Sequence, residues 1–205
     1  MANNRQYHHG NLEHVLLEEA TRMIGESGVE QLSMRGLADS VGVSRTAAYH
    51  HFKNKNELLC AIAEAGFQAW QQRFSNLFSQ RPEPLMPWLR QFVQRYIGFA
   101  RDHSEQYDLM FGRPVWKNGE ATVSLERCSG ATFHQYVEFI KACQSEGIFG
   151  SHIESLRLAQ VSWSMLHGMC RLINDGVYLD NEAIESMCDA AVKLLARSVS
   201  DTGEV

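Results

Sequence analysis

The chain has 205 residues, of which 44% are hydrophobic and 21% charged, a composition that suits one or two globular domains with an apolar core. Its formal net charge of -5 excludes a generally basic nucleic-acid binder and disfavours binding to an anionic membrane surface. Because the sequence contains neither an apolar run of about 18 residues nor the apolar core of a signal peptide, we expect a cytoplasmic protein without a membrane span.

An enzyme is the first functional class to weigh, because the chain carries nine histidines and five cysteines. The histidines lack ligand-like spacing with acids or cysteines, no Cys-Xaa-Xaa-Cys pair occurs, and neither a nucleophile motif nor a glycine-rich phosphate loop is present. We therefore expect no catalytic residue, metal or cofactor, and reduced cysteines that pack as small apolar side chains.

The first helix follows a polar stretch, residues 1–10, which predicts a flexible arm. Apolar residues recur at helical spacing from Asn11 to Gly28, where the glycine ends the pattern. This helix is expected to close a small core over the two helices that come next.

Two short helices joined by a tight turn are predicted between residues 33 and 52. Ser33 can cap the first helix, and Gly42 can adopt the left-handed conformation that ends it. Ser44 offers a cap for the second helix, whose Ala47 and Ala48 are small enough to cross the first helix closely. This arrangement is a helix-turn-helix.

The outer face of the second short helix carries hydrogen-bond donors: Arg45, Thr46, Tyr49 and His50. Side chains of this kind can donate to DNA phosphates and base edges.

Positive charge is concentrated around this helix. No acidic residue occurs over residues 40–56, whereas Arg45, Lys53 and Lys55 all lie there. A solvated surface is the ordinary explanation of such charges. Their position in a helix-turn-helix favours a DNA interface instead.

The same stretch resembles the DNA-binding domain of the tetracycline-repressor (TetR-like) family of bacterial regulators. The resemblance rests on LADSVGVS (37–44), YHHFKNK (49–55) and ELL (57–59), in that order and at the family's spacing. It implies sequence-specific binding to a palindromic operator, with Tyr49, His50 and Lys55 chiefly contacting phosphate. Together with the adjoining cap and the positive residues, the predicted DNA-binding set is Ser33, Arg35, Ser44, Arg45, Thr46, Tyr49, His50, Lys53 and Lys55.

A long fourth helix is predicted over residues 55–79, because Asn54 and Glu57 resemble a capping box and apolar residues then keep helical spacing for more than six turns. This helix joins the two expected domains, residues 1–57 and 58–205. It is either a mechanical link between them or a rigid spacer.

Five further helices are expected, for an all-α fold of about nine helices. Three prolines predict a loop over residues 81–87, and Ser151 with Glu154 resembles a capping box. The predicted helices span residues 88–101, 104–111 (or from 102), 120–146, 156–178 and 181–198 (or from 180).

The last two helices are the predicted homodimer interface. The helix over 156–178 is apolar on nearly every side, so it must be buried on more than one face. Pairing with the same two helices of a second subunit gives a four-helix bundle; the alternative is burial by other helices of the same chain.

The C-terminal domain is also expected to bind an apolar or amphipathic small molecule among its aromatic and sulfur-containing side chains. Trp163, His167 and Gly168 are similar to the Trp-Xaa-Xaa-Xaa-His-Gly signature of one group of TetR-like C-terminal domains, where His167 either faces the ligand or is a core histidine. The predicted ligand-binding residues are Phe92, Tyr96, Phe99, Tyr107, Met110, Phe111, Phe133, Tyr136, Trp163 and His167.

The predicted function is therefore a TetR-type repressor that a small ligand releases from its operator. The alternative is a regulator or DNA-organising protein that has no small-molecule effector.

Overall fold

The computed structural model describes residues 12–79, 85–117, 119–178 and 180–197, and every regular element in these ranges is helical. The helices are α1 (Leu12–Ser27), a 3-10 turn (Val29–Gln31), α2 (Met34–Val41), α3 (Arg45–His51), α4 (Lys55–Ser79), α5 (Leu85–Asp102), α6 (Ser104–Phe111), α7 (Arg113–Trp116), α8 (Val123–Ser145), α9 (Ser155–Asn174) and α10 (Asn181–Arg197).

The predicted all-α fold class is confirmed. Nine of the described α-helices have seven residues or more, and the four-residue α7 is an addition that its short length hid from the sequence pattern. No helix in the described ranges is both long enough and apolar enough to cross a membrane.

Two local predictions differ from the structure. The expected arm and residues 81–84 of the expected loop lie outside the described residues, but α5 already begins at Leu85. Pro87 is tolerated in its first turn because amides there have no helical partner to lose. The helix α9 begins at Ser155 after an N-cap Glu154 whose side chain makes no capping bond, so the predicted capping box at Ser151 is wrong.

The turn before α9 is organised by Gln144 of the preceding helix instead. The Gln144 side-chain amide donates to the carbonyls of Gly150 and Ile153, at 2.7 and 2.9 Å, and its Oε1 accepts from the Ser155 hydroxyl at 2.5 Å. The Gln144 side chain thus bonds to three polar groups of this turn and organises the start of α9 without a capping box.

The chain forms two compact units that do not follow the predicted boundary at residues 57 and 58. The first unit runs to Phe67 and also contains Glu105–Cys128; the second contains Gln68–Ser104 and the chain from Ser129 onward. The helix α4 therefore contributes to both units, and most of α6, all of α7 and the start of α8 belong to the same unit as the helix-turn-helix. A separable domain at residues 1–57 stays a prediction.

Close packing on α4 explains why the 105–128 segment joins the first unit. Gly66 leaves room for Met110, since a Cβ at Gly66 would lie 2.6 Å from the Met110 sulfur. One residue further on, the rings of Phe67 and Phe111 meet edge to face at 5.5 Å.

The core of the helix-turn-helix is made by the apolar faces that the sequence predicts. Leu16, Ala20 and Ile24 of α1 are buried, as are Leu37, Ala38 and Val41 of α2, Ala48 of α3 and Phe52 after it.

A polar link also joins α1 to α2. Glu19 of α1 accepts hydrogen bonds from Arg22 and from the hydroxyl of Ser40. These bonds, the Arg22 bond foremost, lower the pKa of Glu19 to about 2, so an ionised carboxylate ties α1 to the end of α2.

In the second unit, α5 packs against both α9 and α10. The Arg90 guanidinium on α5 lies 3.3 Å from the Glu185 carboxylate and 2.5 Å from that of Asp189, both on α10. The Asn174 amide near the end of α9 donates to the carbonyl of Ala100 at 3.0 Å.

Among the residues that the structure describes, one side of α9 is buried and the other is not. Its buried residues are Leu158, Ala159, Ser162, Leu166, Cys170 and Ile173. Val161 and Leu172, on the other side, are exposed. Other described helices of the same chain therefore do not cover the second apolar face that the sequence predicted.

Candidate nucleic-acid interface and ligand site

The crossing of α2 and α3 is fixed by three caps. The Ser33 hydroxyl oxygen accepts from the Gly36 amide at 3.1 Å, and the Ser44 hydroxyl oxygen accepts from the Ala47 amide at 3.1 Å. Between them Gly42 adopts φ 77° and ψ 31°, a left-handed conformation that costs glycine little. Both serines thus accept from helix amides, and each retains a hydroxyl proton that can be donated outward.

The predicted donor face of α3 is turned to solvent. Ala48 is buried against the core, whereas Arg45, Thr46, Tyr49 and His50 are exposed, with 47% of Tyr49 accessible. A large aromatic side chain with this exposure and a polar hydroxyl is well suited to a phosphate contact.

The adjacent histidine does not share this face. His51 is half-buried and its Nδ1 lies 3.8 Å from the Glu13 carboxylate of α1. The sequence motif contains both histidines, but only His50 is free to face DNA.

The start of α4 carries the capping pair in a modified form. The Asn54 side chain accepts from the Glu57 amide at 2.8 Å, as predicted. The Glu57 carboxylate accepts from the amide of Lys53, at 2.6 Å, whereas a capping box has this bond to the cap residue itself. The two bonds rigidify the turn that connects α3 to α4.

Lys55 is half-buried, and its ammonium donates to the carbonyl of Glu30 in the 3-10 turn at 3.3 Å. This contact was not predicted, because no local pattern connects residues 25 positions apart. The ammonium has three protons, so two remain to bind a phosphate. The contact therefore holds the lysine at the first turn of α4, where the helix dipole also favours an anion.

The charges on this face are mostly uncompensated. Arg35 lies 3.8 Å from Asp39 in an exposed pair, which contributes little energy. Arg45 and Lys53 have no carboxylate within ion-pair distance among the residues that the structure describes. Arg35, Arg45, Lys53 and Lys55 therefore form a local concentration of positive charge, the cationic face, on a chain of net charge -5.

The ten predicted ligand-binding residues are divided between the two units. Tyr107, Met110 and Phe111 belong to the first unit, around α4, and the other seven belong to the second unit. The set was predicted from its aromatic and sulfur-containing side chains and from the signature around Trp163, neither of which carries information about the unit that each helix joins.

Within the second unit, Trp163 is the centre of an aromatic cluster. Its ring lies 5.4 Å from Trp70, 5.9 Å from Tyr96, 5.6 Å from Phe133 and 5.0 Å from Tyr136. Phe92 continues the cluster, 6.0 Å from Tyr136. Phe99 lies apart from it, 4.8 Å from the ring of His103.

Polar side chains are built into the same region. The hydroxyls of Tyr136 and Ser162 are 2.9 Å apart, both buried, and the Gln71 amide donates to the buried Thr132 hydroxyl at 2.7 Å. Burial raises the pKa of Tyr136, so its hydroxyl stays protonated. The cluster is therefore apolar with a few fixed polar groups.

His167 is half-buried, one turn after Trp163. Burial, and to a lesser extent the charge of Arg171, lowers the pKa of His167, which favours the neutral imidazole. None of the ten predicted residues lines the pocket of about 230 Å³ found in the second unit, which is bounded by Arg101, Ser104, Ile173, Asn174, Tyr178 and Ile184.

A capped helix-turn-helix with an exposed cationic donor face, in an all-helical chain, defines a DNA-binding regulator. Comparison with known proteins specifies the class further. Residues 16–62 match the family of bacterial regulatory proteins of the TetR type, and residues 89–197 match the tetracycline repressor-like C-terminal domain. The chain belongs to the tetracycline-repressor (TetR) family, whose members are DNA-binding regulators and not enzymes.

Individual similar proteins match either a short part of this chain or the whole chain at low identity. The class C tetracycline repressor of Escherichia coli is 44% identical over 50 residues, which cover 24% of this chain and 23% of the relative, so the match spans about a quarter of either protein. A solved protein of unknown function from Rhodococcus sp. RHA1 is 28% identical and superposes with a TM-score of 0.77, over 94% of this chain and 99% of that one.

A third relative has been solved with its ligands. AibR, in complex with isovaleryl coenzyme A and operator DNA, is 21% identical, with a TM-score of 0.63 over 90% of this chain and 97% of AibR. At this identity the likeness establishes the fold alone.

The positions of Lys55 and Arg45 generate a paired prediction. Lys55→Ala should weaken binding to specific and scrambled DNA alike, because Lys55 is predicted to contact a phosphate. Arg45→Ala should cost about 1–3 kcal/mol on the specific site only, because Arg45 is predicted to contact a base. Both affinities can be measured by fluorescence anisotropy of labelled duplexes.

The control is Lys141→Ala, which removes one exposed positive charge from α8 in the second unit. Unchanged affinity in Lys55→Ala, or an equal loss on both duplexes in Arg45→Ala, would exclude that residue's assigned role.

Proposed function

We propose that this protein is a homodimeric, cytoplasmic repressor that binds a palindromic operator and is released from it by a small apolar or amphipathic ligand. The observation that carries the proposal is the donor face of α3, which two serine caps and Gly42 hold in a fixed orientation. Of the nine predicted DNA-binding residues, eight are exposed and Lys55 is half-buried, which supports a surface role for the set.

Homodimerisation is supported by an apolar stripe that the described part of the chain leaves exposed. On α9 the stripe follows Val161, Met165, Gly168 and Leu172, at helical spacing. Val161 is 69% exposed, and a Cβ at Gly168 would meet no atom within 4 Å. A glycine in such a stripe allows a neighbouring helix to approach closely.

The helix α10 offers a matching stripe through Met187, Ala190 and Leu194, of which Leu194 is 64% exposed. Two helices of this kind per subunit form a four-helix bundle around a two-fold axis. The same axis relates two copies of α3, which is the symmetry of a palindromic site.

The proposed ligand site is the aromatic cluster around Trp163 in the second unit. Trp163 and Phe133 are half-buried and so connect the surface to the fully buried Tyr96 and Tyr136. A ligand that displaces these two rings would meet aromatic faces and the Tyr136–Ser162 pair, which suits an apolar body with one polar group. Tyr107, Met110 and Phe111 are not included, since they pack in the first unit.

Release follows if the ligand favours a conformation in which the two α3 helices no longer match the operator half-sites. AibR, which binds both isovaleryl coenzyme A and operator DNA, is a structural relative in which both ligands are bound to one fold of this type.

The alternative is a regulator or DNA-organising protein without an effector. It shares the DNA-binding face but requires neither a palindromic site nor a response to a small molecule. A footprint that spreads along DNA without sequence preference would favour it.

Selection of duplexes from a random DNA library tests the DNA-binding part. We expect enrichment of one inverted repeat whose half-sites are centred about one helical turn, or a multiple of it, apart. Enrichment of unrelated sequences, or none at all, would contradict a sequence-specific dimer.

The dimer interface is tested by a matched pair of substitutions. Val161→Glu buries an unpaired carboxylate in each half of the proposed bundle and should destabilise the dimer by about 3 kcal/mol or more. Val123→Glu, at a residue that is 71% exposed in the first unit, is the control and should leave the dimer intact. Light scattering after size-exclusion chromatography gives the mass; a dimeric Val161→Glu variant would refute this interface.

The ligand site is tested through Trp163. Amphipathic carboxylates and acyl thioesters that weaken operator binding should also change tryptophan fluorescence, because Trp163 and Trp70 are in ring contact at 5.4 Å. The Trp163→Phe variant should lose most of that fluorescence change. If no compound of a broad panel alters operator affinity, the effector-free alternative is favoured.

A further inference from the structure

Asn56, next to Lys55 in the first turn of α4, binds the backbone of a residue far along the chain. Its side-chain nitrogen donates to the Glu120 carbonyl at 2.7 Å, and its side-chain oxygen accepts from the Glu120 amide at 3.3 Å. One amide side chain thus pairs with both polar groups of a single residue, 64 positions away. Neither the DNA-binding set nor the ligand-binding set contains Asn56.

The surroundings of this link are shaped to keep it. The Cys60 sulfur, one turn further along α4, lies 3.5 Å from the same Glu120 carbonyl. Ser124 at the start of α8 donates to the Glu64 carboxylate at 2.8 Å, one more turn along α4. The segment before α8 therefore follows the first three turns of α4.

Gly119 makes the approach possible. A Cβ at this position would lie 2.3 Å from the Asn56 side-chain oxygen and 2.6 Å from the Pro114 carbonyl. Since real Cβ atoms do not come so close to backbone, any other residue would displace the segment or the Asn56 side chain. The link needs a glycine directly before Glu120.

The link is important because of the segment that it joins to the first turn of α4. Asn56 and Glu120 both belong to the first unit, but the 105–128 segment is covalently continuous at each end with the second unit, through α5 and through α8. The first turn of α4 is thus hydrogen-bonded to a segment whose two ends continue covalently into the second unit. This route from the second unit to the first turn of α4 is additional to the continuous helix α4.

We propose that Asn56 is a positioning residue for DNA binding: through the Glu120 backbone it fixes the first turn of α4, and with it Lys55, in the orientation that meets a phosphate. Movement of α8 then reaches Lys55 through this link. The inference rests on the proposed function, because it assigns Lys55 to a DNA phosphate.

The test compares Asn56→Ala, Asn56→Gln, Lys55→Ala and the double variant Lys55→Ala/Asn56→Ala on the selected operator, over a series of salt concentrations. Glutamine also has an uncharged amide and is a good helix former. Its side chain is one methylene too long to make both hydrogen bonds with the Glu120 backbone. Gln72→Ala, which removes an exposed amide from the same helix, is the control.

We expect Asn56→Ala and Asn56→Gln to bind the operator three- to tenfold more weakly at about 0.1 M salt, since solvent-accessible hydrogen bonds have modest net effects. The plot of log affinity against log salt should become less steep, by about one unit of slope per half-site, as expected for Lys55→Ala. A misplaced lysine binds no phosphate and therefore releases no counterion. The double variant should bind no more weakly than Lys55→Ala alone.

A residue that merely stabilises α4 would leave the salt slope unchanged and add its effect to that of Lys55→Ala; either result overturns the inference. Hydrogen exchange of the free protein gives a readout that needs no DNA. Amides over residues 53–58 and 119–124 should exchange faster in Asn56→Ala than in the wild type or in Gln72→Ala, and unchanged exchange at both places also overturns it.

Failure of the two proposals is distinguishable. If Lys55→Ala weakens binding and both Asn56 variants do not, the positioning role is wrong and the proposed function stands. If the wild-type protein selects no operator, the proposed function fails and the DNA-positioning role of Asn56 fails with it, whatever the hydrogen exchange reports.

Discussion

The left-handed turn at Gly42, between two serine-capped helices, is the constraint on which DNA recognition by this chain depends. It sets the crossing of α2 and α3, so that Ala48 is buried while Arg45 and Tyr49 are exposed. The Ser33 and Ser44 caps satisfy amides at the two helix starts, which would otherwise need water or a ligand. A side chain with a Cβ at Gly42 would strain the turn and tilt the donor face.

Electrostatics makes this orientation more important. The chain as a whole is negative, so its attraction to DNA is limited to the cationic face and acts over about a Debye length of 10 Å. One such face has few phosphate contacts, and affinity grows with the number of contacts made together. In the proposed homodimer, two such faces held at a fixed separation supply the affinity, and the exposed apolar stripe on α9 and α10 is the proposed interface that sets this separation.

The helix-turn-helix could be predicted from the sequence because its signals are local: caps at Ser33 and Ser44, a glycine stop, and a period of about 3.6 residues. Long-range packing could not be predicted. The apolar pattern of α6 is the same whether Tyr107 packs in the first unit or the second, and the capping box at Ser151 was overridden by a side chain seven residues earlier, Gln144. The Asn56–Glu120 link has no sequence signature at all.

The most direct test of this account is the affinity for the selected operator after base pairs are inserted between its half-sites. Two rigidly related α3 helices require the half-sites to lie on one face of the duplex. Insertion of about five base pairs, half a helical turn, should therefore reduce the affinity to that of scrambled DNA. Affinity that is independent of the spacing would contradict the account, because each helix-turn-helix would then bind DNA on its own.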